Sequence, residues 1–379
     1  MKKDFLFLSI TLIFLFIFLY LGSFFYLKKI HGLNNLELIK YKNQISFIEK
    51  YSKRLHHLRH YMDKSVDFKK TETLLFSEGE QNDINNQMSI LFLGDSWIEQ
   101  MLGYQQSNNY IKNYFKKNKI NYYNAGISSY APTVMNIQYQ ILKNDFKLKP
   151  KIIVLYIDQT DFGDEMCRYK QNKEFINGKL YGVKDYFFTP RTISMSKIEN
   201  KYNISLLKDL AQFNFYIKER FFLATNQLKK IFKNNKNIYG CDSQDIASYL
   251  INPAASSIEY FRNSTKDLLD LLNNDRQIKQ ILIVTFPHRN HLKHVLNANN
   301  YGDYNYSVED AVDHYISNNI SEKITHLKFS KYLSKNTELI NEKSFIQMDK
   351  TSHLTENSHS KIFTRKIIDE IDKILGNNY

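Results

Sequence analysis

The chain opens on its longest apolar stretch. Phe5 to Leu27 runs for 23 residues without a charge. At about 1.5 Å per helical residue it is about 34 Å long, slightly more than a bilayer core. Lys2 and Lys3 precede it, and Lys28 and Lys29 follow. The stretch is too long for the apolar region of a cleaved signal peptide, and no A-x-A site closes it. Residues 1–29 therefore read as an uncleaved signal anchor, a single transmembrane helix.

Residues 30–87 read as a polar, mostly helical neck and linker. Leu36, Leu38, Ile39, Ile45, Phe47 and Ile48 form a loose helical stripe. His56 and His60 stand one turn apart with His57 between them, but no third ligand is near in sequence, so a solvated helix face is expected. Residues 71–87, rich in Glu, Asn and Gln, read as a linker.

From Met88 short apolar runs alternate with helical stretches, the pattern of a parallel α/β sheet. Strands are expected at Ser89–Leu93, Ile120–Tyr123, Lys151–Ile157 and Gln280–Phe286, with a short fifth at Phe345–Met348. Helices are expected from Trp97 to Lys117, from Pro132 to about Phe146 and from about Glu356 to Leu375. Some 120 residues separate the third and fourth strands, far more than a crossover needs. The aromatic, Lys-rich part at about 165–250 is thus an insertion or lid within a domain of residues 88–379.

Composition narrows the classes. With 43% hydrophobic and 15% aromatic residues the chain is not disordered. Two cysteines, Cys167 and Cys241, exclude a disulfide-rich scaffold or a multi-Cys zinc module. As a pair they fit either one disulfide or two buried thiols. Mean hydropathy of −0.46 leaves room for no second span. The net charge of +13 is spread over many Lys without an Arg stripe or a nucleic-acid motif, so no nucleic-acid partner is expected.

Open parallel sheets bind ligands beyond the carboxyl ends of their strands, beside the point where strand order reverses. Gly94-Asp95-Ser96-Trp97 follows the first strand, Asn124-Ala125-Gly126 the second and Asp158-Gln159-Thr160-Asp161 the third. In the order 2-1-3-4-5, Ser96 lies centrally. As the first residue of a helix it turns its N–H toward developing negative charge, and Gly126 can bring a second N–H close. A nucleophilic serine needs a base. His353, before the last helix, is placed to reach it, with Asp349 to fix the imidazole tautomer. His288, His291 and His294 at spacing three read as a polar helix face. Asp161, Asp164 and Glu165 read as solvated or Lys-paired carboxylates, and no metal or cofactor is expected.

GDSW at 94–97, NAGISS at 124–129 and DKTSHLT at 349–355 resemble the blocks of the SGNH/GDSL hydrolase superfamily, over roughly residues 88–163 and 279–375. The resemblance implies a three-layer α/β/α sandwich with a parallel flavodoxin-like sheet. It also implies a Ser–His–Asp triad of Ser96, His353 and Asp349, with an oxyanion hole from Ser96, Gly126 and the third block. There the family has G-x-N-D. Here Thr160 stands in place of the Asn, with Gln159 one position away, and Asp349 precedes His353 by four rather than three. By this resemblance the chain is a membrane-anchored serine esterase or O-acyltransferase of an acylated, cell-envelope glycan. It would be a single-pass protein of the cytoplasmic membrane with its C-terminal domain outside. The departure at Thr160 leaves a catalytically degenerate, glycan-binding or scaffolding domain as the alternative.

Overall fold

The computed structural model describes residues 2–30, 45–55, 57–59, 74–79, 88–183, scattered positions between 201 and 225, 253–289, 307–319, 321–346 and 353–376. Two compact units result, residues 1–50 with 187–235 and residues 51–186 with 236–379.

In the first unit, helix α1 (Lys2–Ile30) covers the apolar run. Its side chains are described from Ile10 to Tyr26, which at about 1.5 Å per residue is about 26 Å, short of a hydrocarbon core of about 30 Å. Among the described residues no helix is long and apolar enough to cross a membrane. The expected transmembrane span is therefore not shown. Most of α1 from Ile10 to Tyr26 is exposed, but Phe24 is buried. Its ring meets Phe213 edge-on at 5.5 Å, and Tyr20 meets the same ring at 5.0 Å while donating to Asn214 Oδ1 at 2.6 Å. The middle of the expected insertion thus groups with the N-terminal helix.

Helix α2 (Ile45–Leu55) runs on into the second unit, where Tyr51 donates to Asp145 Oδ2 at 2.7 Å and Leu55 bridges Val183. The stretch read as a linker buries Leu74, Leu75 and Phe76 and then forms an edge strand, β1 (Ser77–Glu78), antiparallel to its neighbour. Next come β2 (Ser89–Gly94), α3 (Ser96–Gly103), α4 (Gln105–Lys117), β3 (Asn121–Gly126), α5 (Pro132–Asn144), β4 (Ile152–Asp158) and α6 (Gln159–Asp164). A hairpin follows, β5 (Lys173–Ile176) with β6 (Lys179–Val183). The fold closes with α7 (Ala255–Asn273), β7 (Gln280–Phe286), α8 (Ser307–Asn318), β8 (Ile324–Lys328), α9 (Phe329–Ser334) and α10 (Arg365–Gly376).

The main sheet has the order β1-β3-β2-β4-β7-β8, and every pairing but that of β1 is parallel. Central strands covered on both faces read as continuous apolar runs, and every residue of β2 and β4 is buried. Ile90, Phe92, Val154, Tyr156, Leu282 and Val284 share one core with Trp97, Ile111, Phe115, Ile367 and Ile371. The alternate strand residues turn to the other face, where α5, α7 and α8 pack on one another.

Two expectations on elements change. The fifth parallel strand is Ile324–Lys328, not Phe345–Met348. At the latter site Phe345 makes only an isolated antiparallel bridge to Leu354, and residues 347 and 348 lie outside the described residues. The single helix from Trp97 to Lys117 is broken at Tyr104, whose backbone is extended (φ −84°, ψ 121°) and whose hydroxyl donates to Leu354 O at 3.1 Å. Cys167 is buried and disulfide-bonded. Cys241, the other cysteine, lies outside the described residues.

Candidate active site

The turn from β2 into α3 is tight because Gly94 has no side chain. A Cβ there would lie 2.6 Å from Ile98 Cγ1 and 3.0 Å from Tyr156 Cβ. Asp95 caps the helix by accepting from Trp97 N at 2.8 Å, so Ser96 is its first residue, where the backbone N–H has no partner within the helix. His353 arrives from far along the chain on a short paired segment. Ile346 N donates to His353 O at 2.9 Å and Thr355 N to Ser344 O at 2.8 Å. That pairing leaves His353 Nε2 2.7 Å from Ser96 Oγ. With the ring hydrogen on Nδ1, Nε2 accepts the serine proton, the relation a general base requires. Asp349 lies outside the described residues.

Trp97 is the floor of the site. Its ring lies 4.6 Å from Phe286, 5.6 Å from Tyr156 and 6.2 Å from His353. Behind it stands His359, which the sequence reading passed over. His359 is fully buried in a π-helical turn (His359–Thr364). Its Nε2 donates to Trp97 O at 3.0 Å, and its Nδ1 lies 3.1 Å from Ser107 Oγ. Burial pushes its pKa down to about 3, so it is a neutral strut between the last helix and the nucleophile helix. A bare His six residues after His353 carried no signal of this.

The second block abuts the same helix. A Cβ on Gly126 would fall 2.4 Å from Glu99 N and 2.6 Å from Ile98 C, both backbone atoms, so only glycine permits this approach. The Gly126 N–H donates to Asn124 Oδ1 at 3.0 Å, and Asn124 Nδ2 donates to Ile98 O at 2.8 Å. Beyond it Ser129 takes a left-handed backbone (φ 63°), a conformation that costs energy outside glycine. Tyr169 holds it by donating to Ser129 O at 2.5 Å, and His57 Nε2 donates to Ser128 O at 2.6 Å. His56 and His60 lie outside the described residues.

In the third block the Thr160 hydroxyl donates to Asp158 Oδ1 at 2.6 Å and its N–H to the same oxygen at 2.7 Å. Asp158 thereby caps α6. The structure thus joins Ser96 to His353. It does not turn the Gly126 N–H or the Thr160 hydroxyl to Ser96, since each is engaged by its own block. Gln159 is buried at the start of α6.

Of the acidic residues expected to be solvated or Lys-paired, Glu165 is Lys-paired, Asp164 is paired with Arg, and Asp161 is neither solvated nor paired with Lys among the described residues. Asp161 and Glu165 are fully buried. Glu165 pairs with Lys173 at 3.3 Å, and Asp164 pairs with Arg168 at 2.8 Å. Asp95, Asp158 and Asp161 each bring a carboxylate oxygen within 4.8 Å of the others beneath the nucleophile. Burial first, with mutual repulsion in second place, holds Asp95 and Asp161 well above the usual carboxylate range. His288 is buried rather than on a polar helix face, and His291 and His294 lie outside the described residues.

A second hydroxyl–His–Asp relay occurs at the far strands. His326 Nε2 is 3.0 Å from Thr285 Oγ1, and its Nδ1 is 3.0 Å from Asp313 Oδ1. Thr285 is only 1% exposed, so no substrate carbonyl reaches it. Glu309 accepts from Ser330 at 2.5 Å and Thr285 at 3.3 Å, and burial pushes it from 4.5 up to about 7. A carboxyl whose folded pKa is raised contributes stability below about 4.5, and that contribution is lost as pH rises through about 7. Glu309→Gln is therefore expected to gain stability relative to the parent between pH 5 and pH 8, by on the order of 3 kcal/mol. Denaturant midpoints at the two pH values check this, and a difference independent of pH would refute it.

No family model and no curated protein matches the chain. Among solved structures, an acetyl xylan esterase (Est2A) from the rumen bacterium Butyrivibrio proteoclasticus is similar, with 11% identity and a TM-score of 0.35. The match covers 78% of this chain and 66% of that one. A likeness of this degree assigns nothing, and function is argued from the site alone.

Proposed function

We propose that the chain is a serine esterase or O-acyltransferase with an SGNH-type site. The observation that carries this is the 2.7 Å contact between Ser96 Oγ and His353 Nε2 at the carboxyl end of a central parallel strand. Ser96 Oγ attacks the ester carbonyl while its proton passes to His353 Nε2. The oxyanion draws on the Ser96 N–H at the start of α3. The leaving alkoxide takes the proton from His353, and an acyl-enzyme on Ser96 remains. Water then gives hydrolysis, and a sugar hydroxyl gives transfer. Asp349 fills the third triad position.

The same reading places α1 across the cytoplasmic membrane and the rest of the chain outside. Its supports are the uncharged run Phe5–Leu27 and the disulfide at Cys167, which belongs to an oxidising compartment. The substrate that fits such a place is an acylated, chiefly acetylated, envelope glycan. A C-terminal reporter active only after export is expected to be active, and activity of a cytoplasm-only reporter there would overturn the topology.

A second reading, a degenerate domain that binds glycan or scaffolds an envelope complex, is favoured by one observation. Both the Gly126 N–H and the Thr160 hydroxyl are committed away from Ser96. Treating the purified full chain with a fluorophosphonate separates the two. An adduct on Ser96 supports the enzyme, and its absence supports the degenerate domain.

A further inference from the structure

Residues 187–235 belong to the same compact unit as α1 rather than to the sheet domain. The described part of this segment is largely helical, at 206–207, 209–215 and 217–218. Phe213 and Asn214 hold it to α1 through Phe24 and Tyr20. Away from that contact, Ile204, Leu206, Leu207, Ile217 and Phe221 are 61%, 56%, 44%, 41% and 71% exposed. This is a dense set of large apolar side chains for a short surface segment.

Charge and depth agree on what covers it. The segment carries nine Lys and Arg against three Asp and Glu, a net +6 of the chain's +13 within 49 residues. Tyr20 and Phe24 lie seven and three residues before the end of the apolar run at Leu27. At about 1.5 Å per residue this is about 5–10 Å inside the run's end, the depth at which amphipathic helices rest in a bilayer interface. We propose that the described residues between 201 and 225 form, with α1, a membrane-surface module. The exposed apolar residues enter the acyl boundary and the basic residues meet anionic headgroups. This rests on the membrane reading of α1 above. On it the middle of the expected insertion is a second foot on the bilayer.

The test uses the full chain in phosphatidylcholine/phosphatidylglycerol vesicles whose acyl chains are brominated near the headgroup. The single native tryptophan, Trp97, is buried and serves as background. Phe16→Trp, Ile217→Trp and Phe221→Trp are compared with the parent. Added emission at 217 and 221 is expected to fall about two-fold or more, and to fall less with bromines placed deeper in the chains. Deep bromines are expected to quench Phe16→Trp. If Phe16→Trp is quenched but Ile217→Trp and Phe221→Trp are not, protein covers this face and the inference is overturned while the anchor stands. If none is quenched, both are overturned. Quenching at 217 and 221 without quenching at 16 would keep the surface contact and remove the span.

Discussion

Ser96→Ala is expected to abolish fluorophosphonate labelling and to lower hydrolysis of a small acetyl ester by about 10⁴-fold or more, because triad members act as a unit. The fold should survive. Ser96 Oγ has no structural partner of weight, with a 3.4 Å approach to Asp95 Oδ2 and the 2.7 Å contact to His353 as its hydrogen bonds. The cap of α3 comes from Asp95, not from Ser96. His353→Ala is expected to cost nearly as much, since the other described group on Ser96 Oγ, the Asp95 carboxylate, is at the longer distance of 3.4 Å and is engaged as the cap of α3. Its backbone pairing to Ile346 does not depend on the imidazole, so the thermal midpoint should move little. Turnover that persists in either variant would place the chemistry elsewhere. A parent chain that neither labels nor turns over would leave the degenerate reading standing.

The central parallel strands were legible because burial on both faces makes them nearly continuous apolar runs. Gln280–Phe286 matches its strand end for end, the first strand differs by one residue at its end only, and the other two differ by one to three residues at each end. Ile324–Lys328 was not legible. It is the outer parallel strand, its burial is mixed, and its sequence ITHLK mixes polar with apolar residues. Phe345 reads as the start of a strand from its apolar neighbourhood, yet it is buried by docking the His353 segment on the core through its bridge to Leu354. Ser96 and His353 could be found because catalysis needs those residue types at strand ends. Which hydrogen bonds Gly126 and Thr160 make could not be read, because each is taken by a neighbour within two residues, and a local Asx or capping geometry competes with any distant partner. Glu309 and His359 were invisible for a plainer reason. Their importance lies in burial, which a lone charged or polar letter does not disclose.

Arg59 is the clearest case of a residue that only the fold reveals, and Arg59→Met is expected to destabilise the chain by about 3–5 kcal/mol. It comes from the stretch read as a solvated neck, yet it is 2% exposed. Its guanidinium donates to Asn124 O at 2.9 Å, Gly126 O at 3.0 Å, Asn124 Oδ1 at 3.3 Å and the Ser77 hydroxyl, with Glu99 Oε1 at 3.9 Å. One planar group thus ties β1, the end of β3 and the nucleophile helix together. Met keeps the apolar stem and removes the donors to Asn124 O, Gly126 O and Ser77, and with them the cation near Glu99. Lys keeps the charge but not the fork, so Arg59→Lys should recover only part of the loss. Urea unfolding at constant slope measures both. The site should register the change as well as the fold, because Gly126 abuts the backbone of Ile98 and Glu99. Labelling of Ser96 is expected to slow in Arg59→Met under conditions where the protein is still folded. A midpoint shift worth less than about 0.5 kcal/mol would mean that the Arg59 contacts are replaced at no cost and that the neck does not brace the site.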